Sequence, residues 1–291
     1  MKYSFRHGII MSALVTVFAF SACKKDNSSQ SDTQNDAITA SQETAEAEGE
    51  YDDATEIGLS AGAGLDAGAT GRVDGSSNER VYLFADLQFK IGLNTIVTVT
   101  PADSTFPKTV TIDYGAGTIC RDGRFRKGVV VLTFSAPFRT TGATVTITFK
   151  DYYSNRLHIE GTKTIVNLSS GGVLKYSVDV KDGKVSWPNG RSFTVTGTKV
   201  VTQVAGSGTA TVRDDAYSVE GSATIVYANG TTVTRSTVTP LIKAVSCNWI
   251  GQGILKITVN NTTVTIDFGD GTCDNKAILK WNSGQKEITL P

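Results

Sequence analysis

Residues Ala143–Tyr152 read ATVTITFKDY, and residues Lys108–Tyr114 read KTVTIDY. In both stretches polar and apolar residues alternate, and most of the apolar ones are Val, Ile or aromatic. This period of two is typical of a β-strand with one buried face, because successive side chains point to opposite sides of a strand. Eleven further runs share this composition: Thr95–Thr100, Gly128–Ser135, Leu157–Asn167, Val173–Val180, Ser192–Val204, Ala216–Tyr227, Thr231–Thr239, Ile254–Asn260, Thr262–Phe268, Ala277–Trp281 and Lys286–Leu290.

The links between these runs are short and have the composition of hairpin turns. Asp182-Gly183, Asn229-Gly230 and Asn260-Asn261 each stand between strand-like segments and consist of residues that tolerate a positive φ. Two-residue links force antiparallel neighbours, since a parallel crossover needs about a dozen residues or more. The sequence therefore predicts an all-β fold, an antiparallel meander of many strands that forms either a sandwich or a long curved sheet.

The N-terminus has the layout of an export signal. Lys2, Arg6 and His7 precede the uncharged apolar run Gly8–Phe20, which is shorter than the roughly 20 residues of a membrane-spanning helix. Ser21-Ala22 then lead into Cys23, which resembles the lipobox of bacterial lipoproteins, although Phe20 stands where Leu is usual. We predict a signal peptide over Met1–Ala22 and acylation of Cys23. The alternative is ordinary cleavage near Ala19-Phe20-Ser21.

Composition and charge set further limits. Loss of the signal peptide removes Lys2 and Arg6 and leaves 26 basic against 28 acidic residues. This balance argues against a nucleic-acid partner, which usually requires a strongly basic domain. Lys24–Glu56 is polar and acidic, so we interpret residues 23–56 as a lipid-anchored disordered tether. Residues 57–291 would form the β domain, and Ile57–Gly71 fits a short helix or a loop equally well.

Two segments of the chain resemble a group of Bacteroidota surface lipoproteins. These are Thr109–Thr164, which contains TIDYGAGTICRDGRFRKGVVVLTF and HIEGTKTI, and Cys247–Leu290, which contains TIDFGDGTCDNKA. The charged run Lys24–Asn27 is similar to the export tag of such lipoproteins. The resemblance implies a β architecture and an address in the outer membrane, lipid-anchored and exposed at the cell surface, with the periplasmic face as the alternative. It implies no activity.

The motif Asp267-Phe268-Gly269-Asp270-Gly271-Thr272 is similar to the DFGDG signature of polycystic-kidney-type immunoglobulin-like domains. Together with Asp274 it offers three carboxylates, but it lacks the spacing of a calcium loop. The related copy Asp113–Gly117 keeps both glycines and replaces the second carboxylate by alanine. We therefore interpret the motif as a turn, and we expect neither a metal nor a cofactor.

Catalytic residues are hard to find in the mature chain. His158 is its one histidine, lies in an alternating run and is interpreted as an ordinary strand residue. Glu160 and Glu220 both precede a Gly-Thr or Gly-Ser step. They are the candidate acid pair of a glycoside hydrolase, which needs two carboxylates and no shared motif. A repeated structural position is the simpler interpretation.

Two clusters are candidates for ligand binding. The basic run Arg121–Lys127 fits a solvated hairpin tip or, less simply, a site for an anionic ligand. The three tryptophans and two adjacent tyrosines fit either the core or a stacking platform for sugars. These aromatic residues are Trp187, Trp249, Trp281, Tyr152 and Tyr153.

Three cysteines remain once lipid occupies Cys23. An oxidising envelope favours one disulfide, and we predict Cys247–Cys273 with Cys120 free. If Asn260-Asn261 is a two-residue turn, Cys247 faces Asp274, one position from Cys273. A single bulge at Gly251 or Gly253 would bring the two sulfurs together.

The sequence thus predicts a membrane-anchored, non-enzymatic envelope lipoprotein, a surface binding or structural module of unknown ligand for which a glycan or an envelope protein is the candidate partner. A carrier of a lipid or other apolar ligand on a curved sheet is the first alternative. A carboxylate-type glycoside hydrolase is the second.

Overall fold

The computed structural model describes residues 50–51, 53–62, 64–65, 72–73, 87–207, 214–244, 246–247 and 249–290 of the 291-residue chain. Met1–Ala22, Cys23 and residues 24–49 lie outside the described residues. The signal peptide, the lipid anchor and most of the tether therefore stay predictions. Within the described part of the chain, no helix is long and apolar enough to cross a membrane.

The described residues form fifteen β-strands, a short 3-10 helix, Leu87–Lys90, and a helix that comprises residues 50–51, 53–62 and 64–65. The strands are β1 (Arg72–Val73), β2 (Ile96–Thr100), β3 (Lys108–Asp113), β4 (Thr118–Ile119), β5 (Phe125–Phe134), β6 (Thr144–Ser154), β7 (Leu157–Asn167), β8 (Lys175–Ser186), β9 (Ser192–Ala205), β10 (Ala216–Tyr227), β11 (Thr232–Ala244), β12 (Gln252–Val259), β13 (Thr262–Asp270), β14 (Lys276–Trp281) and β15 (Gly284–Thr289).

All strands belong to one antiparallel sheet. Fourteen of the described strands lie side by side in chain order, and β4 pairs with β5 outside that path. The predicted all-β antiparallel meander is confirmed. The sequence left a sandwich and a long curved sheet as alternatives. The structure has the long sheet, because a sandwich would consist of two packed sheets.

The two faces of this sheet differ in composition. In β7, Leu157, Ile159, Lys163 and Ile165 are buried on one face, called the inner face here. The outer face carries a row of directly paired polar residues that runs from β2 to β15 without a buried member. The row is Thr100, Thr109, Thr133, Thr146, Thr164, Asp179, Thr198, Ser222, Ser236, Lys256, Thr265, Lys280 and Gln285.

A helix covers part of the inner face. Residues 50–51, 53–62 and 64–65 are helical, and Ala54, Ile57 and Ala61 are fully buried. The helix comes so close to the sheet that a Cβ atom on Gly58 would lie 2.9 Å from Cδ1 of Ile147. Ile57–Gly71, for which the sequence allowed either a helix or a loop, is therefore helical over residues 57–62 and 64–65. The predicted tether boundary at Glu56 is wrong, because the packed helix already includes Glu50.

The predicted turn at Asp182-Gly183 is also wrong. Both residues lie inside β8, where they stand opposite the single residue Gly161 of β7. The residues form a β-bulge instead of a turn. The positive φ angles belong to this bulge: Asp182 has a φ of 51° and Gly161 a φ of 110°. A Cβ atom on Gly161 would lie 2.6 Å from the Asp182 carbonyl oxygen.

The other two turns connect strands as predicted. Val259 pairs with Thr262, so Asn260-Asn261 is a two-residue turn in which Asn260 has a φ of 51°. Asn229-Gly230 lies between β10 and β11, and the amide of Tyr227 donates to the Thr231 carbonyl. This loop has three residues and not two, in agreement with a type I turn followed by a glycine of positive φ.

We expect the Gly161→Ala substitution to lower the free energy of unfolding by about 3 kcal/mol or more, because it combines a strained φ with a backbone clash. Gly230→Ala is the matched control. Gly230 also has a positive φ, of 85°, but no atom lies within 4 Å of its would-be Cβ. The control should cost about 1–2 kcal/mol. Urea denaturation measures both, and equal losses would contradict the role assigned to the bulge.

Candidate functional site

The main polar site of the described residues is a buried ionic junction between the helix and the sheet. Arg126 of β5 has no solvent-exposed surface. Its guanidinium donates to both carboxylate oxygens of Asp53 on the helix, with Nε–Oδ2 at 3.0 Å and Nη2–Oδ1 at 2.8 Å. It also donates to Asp122 in the preceding turn, with Nη1–Oδ1 at 2.9 Å and Nη2–Oδ2 at 2.6 Å. Such paired contacts suit the planar fork of arginine.

Further charges extend the junction towards its surface. Lys90 donates to Asp53 at 2.9 Å and to Glu56 at 2.6 Å. Glu50, at the start of the described helix, accepts a 2.6 Å hydrogen bond from Nη1 of Arg124 and a 2.8 Å hydrogen bond from Nδ2 of Asn155. The junction therefore holds the beginning of the helix at the end of the sheet where β6 turns into β7.

A buried lysine continues the contact along the helix. Lys163 of β7 is 1% exposed, and its ammonium donates to the Tyr51 carbonyl and, at 2.7 Å, to Oγ1 of Thr55. The same ammonium lies 5.2 Å from the centre of the Tyr51 ring, and the Tyr51 hydroxyl donates to the Glu160 carbonyl. Tyr51 and Thr55 are thus fixed to the same strand.

The pKa shifts fit a set of mutually neutralising charges. Burial acts to raise the pKa of Asp122, but the hydrogen bonds and charge of Arg126 outweigh it and hold that pKa below its ordinary value. Burial acts to lower the pKa of Lys90, but Glu56 and Asp53 raise it above its ordinary value. Both groups keep their charge at neutral pH, so the junction is suited to holding the helix in place.

Sequence reasoning missed this junction. It placed Arg121–Lys127 at a solvated tip or beside an anionic ligand. The structure instead directs Arg124 and Arg126 at the chain's own carboxylates. The available signal was the acidic run Glu50–Asp53, but Asp53 and Arg126 stand 73 positions apart and no local pattern links them.

The DFGDG motif forms turns, as interpreted from the sequence. Oδ1 of Asp267 accepts from the Gly269 amide at 3.1 Å, Oδ1 of Asp270 from the Thr272 amide at 3.3 Å, and Oδ1 of Asp274 from the Lys276 amide at 2.9 Å. In the related copy, Asp113 accepts from the Gly115 amide at 2.8 Å. Among the described residues, no three His, Cys, Asp or Glu side chains are grouped to hold a metal ion.

The candidate acid pair is not brought together. Glu160 lies on β7 and Glu220 on β10, and the three strand spacings between them correspond to roughly 14 Å. The register adds six residues along the strands, or roughly 20 Å, because Glu220 lies opposite Val166 of β7. This separation exceeds the roughly 5–9.5 Å of glycoside hydrolases. His158 is a strand residue, as interpreted, and its Nδ1 lies 3.6 Å from Oε2 of Glu160.

Four of the five aromatic candidates have packing partners of their own within the described residues. Tyr152 is fully buried, and Trp187 packs edge-on against Phe193 with ring centres 5.4 Å apart. Tyr153 has both ring faces occupied, one by His158 at 4.5 Å and the other by the ammonium of Lys127 at 5.0 Å. Trp281 packs against the main hydrophobic core. These contacts favour the core interpretation for Tyr152, Trp187 and Trp281, whereas Tyr153 packs against His158 and Lys127 outside either core.

The structure joins Cys247 and Cys273 in a disulfide with Cα atoms 5.7 Å apart, and Cys120 is free and buried. This is the pairing expected from the sequence, but the route differs. At the bulge, two residues of β13 lie opposite the single residue Gly253 of β12. The register therefore shifts by one residue, and Gln252 pairs with Asp270. Cys247 lies before β12, and the disulfide links the β11–β12 connection to the turn after β13.

A cleft of about 340 Å³ opens where the bulges of β11, β12 and β13 meet. Pro240, Ile242 and Ile254 supply apolar lining, and Gln252 and Asp267 supply polar groups. Nζ of Lys280 donates a 2.8 Å hydrogen bond to Oδ2 of Asp267. This hydrogen bond is the main reason that the pKa of Asp267 lies below its ordinary value.

No protein-family model, curated protein or solved structure matches this chain.

We expect Asp53→Asn to lower the free energy of unfolding by roughly 3–5 kcal/mol, because it leaves Arg126 buried without a full counter-charge on the helix. Glu56→Gln is the matched control on the same helix. The Glu56 side chain is 62% exposed, so its loss should cost about 0–1 kcal/mol. Denaturant unfolding measures both. Similar losses for the two variants would show that the junction does not hold the helix.

Proposed function

We propose that this chain is a lipid-anchored module of the bacterial envelope, attached through acylated Cys23 and displayed on the outer face of the outer membrane. Its β domain binds or supports a partner, a glycan or an envelope protein, and carries out no reaction. The export layout of Met1–Cys23 supports the anchor. The observation that carries the proposal is the ionic junction, in which the chain that leaves the anchor is fastened to the sheet from Glu50 onward.

The junction gives the anchor a defined point of attachment. Glu50 stands 27 positions after Cys23, and that length of chain spans at most roughly 95 Å when fully extended. Arg126, Lys90 and Lys163 then fix the helix, so any pull on the tether acts on the sheet and not on a loose end. This arrangement suits a domain that is held at a membrane and presented to a partner.

The cysteines also support an envelope location. A disulfide such as Cys247–Cys273 persists in oxidising compartments and is rare in the cytosol. Burial raises the pKa of the Cys120 thiol, which keeps that thiol protonated and poorly reactive. These properties leave Cys23 as the cysteine that is free to carry the lipid.

One observation favours the carrier alternative. The cleft beside Pro240, Ile242 and Ile254 has the size range of small-ligand sites and an apolar lining. A carrier would place an apolar group there. The glycoside hydrolase alternative has no such support, because Glu160 and Glu220 are too far apart to act on one bond.

We expect Cys23→Ser to release the protein from the membrane fraction or to block its processing, because the thiol that carries the lipid is removed. Cys120→Ala is the control, since it removes the other unpaired thiol and should leave the protein in the membrane fraction. Fractionation of a native-like host and immunoblotting measure both. A Cys23→Ser variant that is processed and stays in the membrane would contradict the anchor.

We expect a glutamate-specific protease added to intact cells to cut after Glu43, Glu46 or Glu48 and to spare Glu50 and Glu56, which belong to the packed helix. The N-terminal sequence of the released domain identifies the site. Full protection until the cells are lysed would place the domain on the periplasmic face. Cleavage after Glu56 in folded protein would contradict the docked helix.

A further inference from the structure

The cleft formed by β11, β12 and β13 lies back to back with the smaller hydrophobic core. That core contains the buried Leu241 of β11 and Phe268 of β13. Ile242 and Asp267, their direct neighbours in the chain, line the cleft together with Ile254 of β12. Ile242 and Ile254 pack in neither hydrophobic core, so core packing does not account for their apolar side chains.

Covalent and hydrogen bonds fix the end of the three strands at which the cleft opens. The Gly251 amide donates to the Ile242 carbonyl at 3.1 Å, and the Gly271 amide donates to the Gly251 carbonyl at 2.8 Å. The disulfide between Cys247 and Cys273 joins the β11–β12 connection to the turn after β13. A site that is held in one shape before binding loses less conformational entropy when a ligand arrives.

The charges at the cleft balance each other. Oδ2 of Asp267 accepts a 2.8 Å hydrogen bond from Nζ of Lys280, and Oδ1 accepts a 3.1 Å hydrogen bond from the Gly269 amide. Gln252 adds a side-chain amide, which both donates and accepts. Because Asp267 and Lys280 carry opposite charges, neither an anion nor a cation gains a net electrostatic attraction there. A neutral ligand with hydroxyl groups matches this set, since a hydroxyl both donates and accepts hydrogen bonds.

An aliphatic chain matches the apolar lining of the cleft but not its polar groups. It would remove water from Asp267 and Gln252 without replacing the lost hydrogen bonds, and polar groups left unpaired in this way disfavour a ligand that lacks hydroxyls. A sugar ring has an apolar C–H face and polar hydroxyls at its edge, so it satisfies both parts of the cleft. The volume of about 340 Å³ lies near the lower end of the roughly 300–1,000 Å³ of small-ligand sites, which suits one ring.

We propose that the cleft binds one ring of a neutral glycan. The C–H face of the ring lies on Ile242 and Ile254, one hydroxyl donates to Asp267, and a second hydroxyl contacts the Gln252 amide. The inference rests on the proposed function, and it narrows the partner from a glycan or an envelope protein to an uncharged glycan.

Saturation-transfer NMR on the full chain, purified from a native-like host, tests the proposal. The probes are glucose, galactose, mannose and N-acetylglucosamine, and octanoate is the competitor. At least one of the sugars should bind, and an excess of octanoate should leave its affinity unchanged. Absence of binding by all of these sugars would overturn the proposal. Displacement of the sugar by octanoate would overturn it as well, because the cleft would then be a site for an apolar ligand.

Matched variants of two related turns locate the binding. Asp267→Asn keeps an acceptor for the Gly269 amide and should weaken sugar binding roughly tenfold, because a hydrogen bond to a carboxylate is stronger than one to a neutral amide. Asp113→Asn makes the same change in the related turn after β3, where Asp113 accepts from the Gly115 amide outside the cleft. This control should change the affinity less than about twofold. Equal affinities of the two variants would overturn the proposal.

Gln252→Ala is a second cleft variant, at an exposed position where the substitution should leave the fold intact. It should also weaken sugar binding, and an affinity equal to that of the wild type in both cleft variants would overturn the proposal. Failure of the proposed anchor is distinguishable, since it would appear as wild-type protein outside the membrane fraction, whereas the sugar affinity does not depend on that fraction.

Discussion

Arg126 is charged at every physiological pH and has no contact with solvent. A buried guanidinium is tolerated only where carboxylates surround it, and Asp53 and Asp122 meet that requirement from two different parts of the chain. The Asp53 contact closes a separation of 73 positions and ties the segment that follows the tether to β5. The packing of Ile57 and Ala61 on the inner face and the position of Glu50 beside the β6–β7 connection both depend on this contact.

The sheet depends on a second constraint, because long strands with one buried face have to bend to enclose a core. Register shifts occur at Gly161 between β7 and β8 and at Gly253 between β12 and β13. Bulges bend a strand and increase its twist. In β11–β13 these bulges also open the cleft beside Ile254. The outer face keeps its paired polar row throughout and stays hydrated.

The strands could be predicted because their pattern is local. β7 and β10 begin and end at the predicted residues, since alternation and flanking polar residues define both. The strand predicted at the position of β8 ends too early. Asp182-Gly183 indicates a turn in the sequence, but residues that tolerate a positive φ occur in bulges as well as in turns. The helix could not be predicted, because the acidic run Glu50–Glu56 is typical of a solvated tether. Its counter-charges lie in the distant segment Asp122–Arg126, which only the folded chain brings near.

The helix is part of the folded domain, and the buried charges of Arg126 and Lys163 hold it there. Amide hydrogen exchange of the full chain tests it directly, by comparing the opening free energies of residues 54–62 with those of β5–β7. If the claim is correct, the helix amides exchange only when the sheet unfolds, with the same free energy as the Arg126 strand. Exchange of the helix amides at a much lower free energy, while the sheet stays protected, would contradict it.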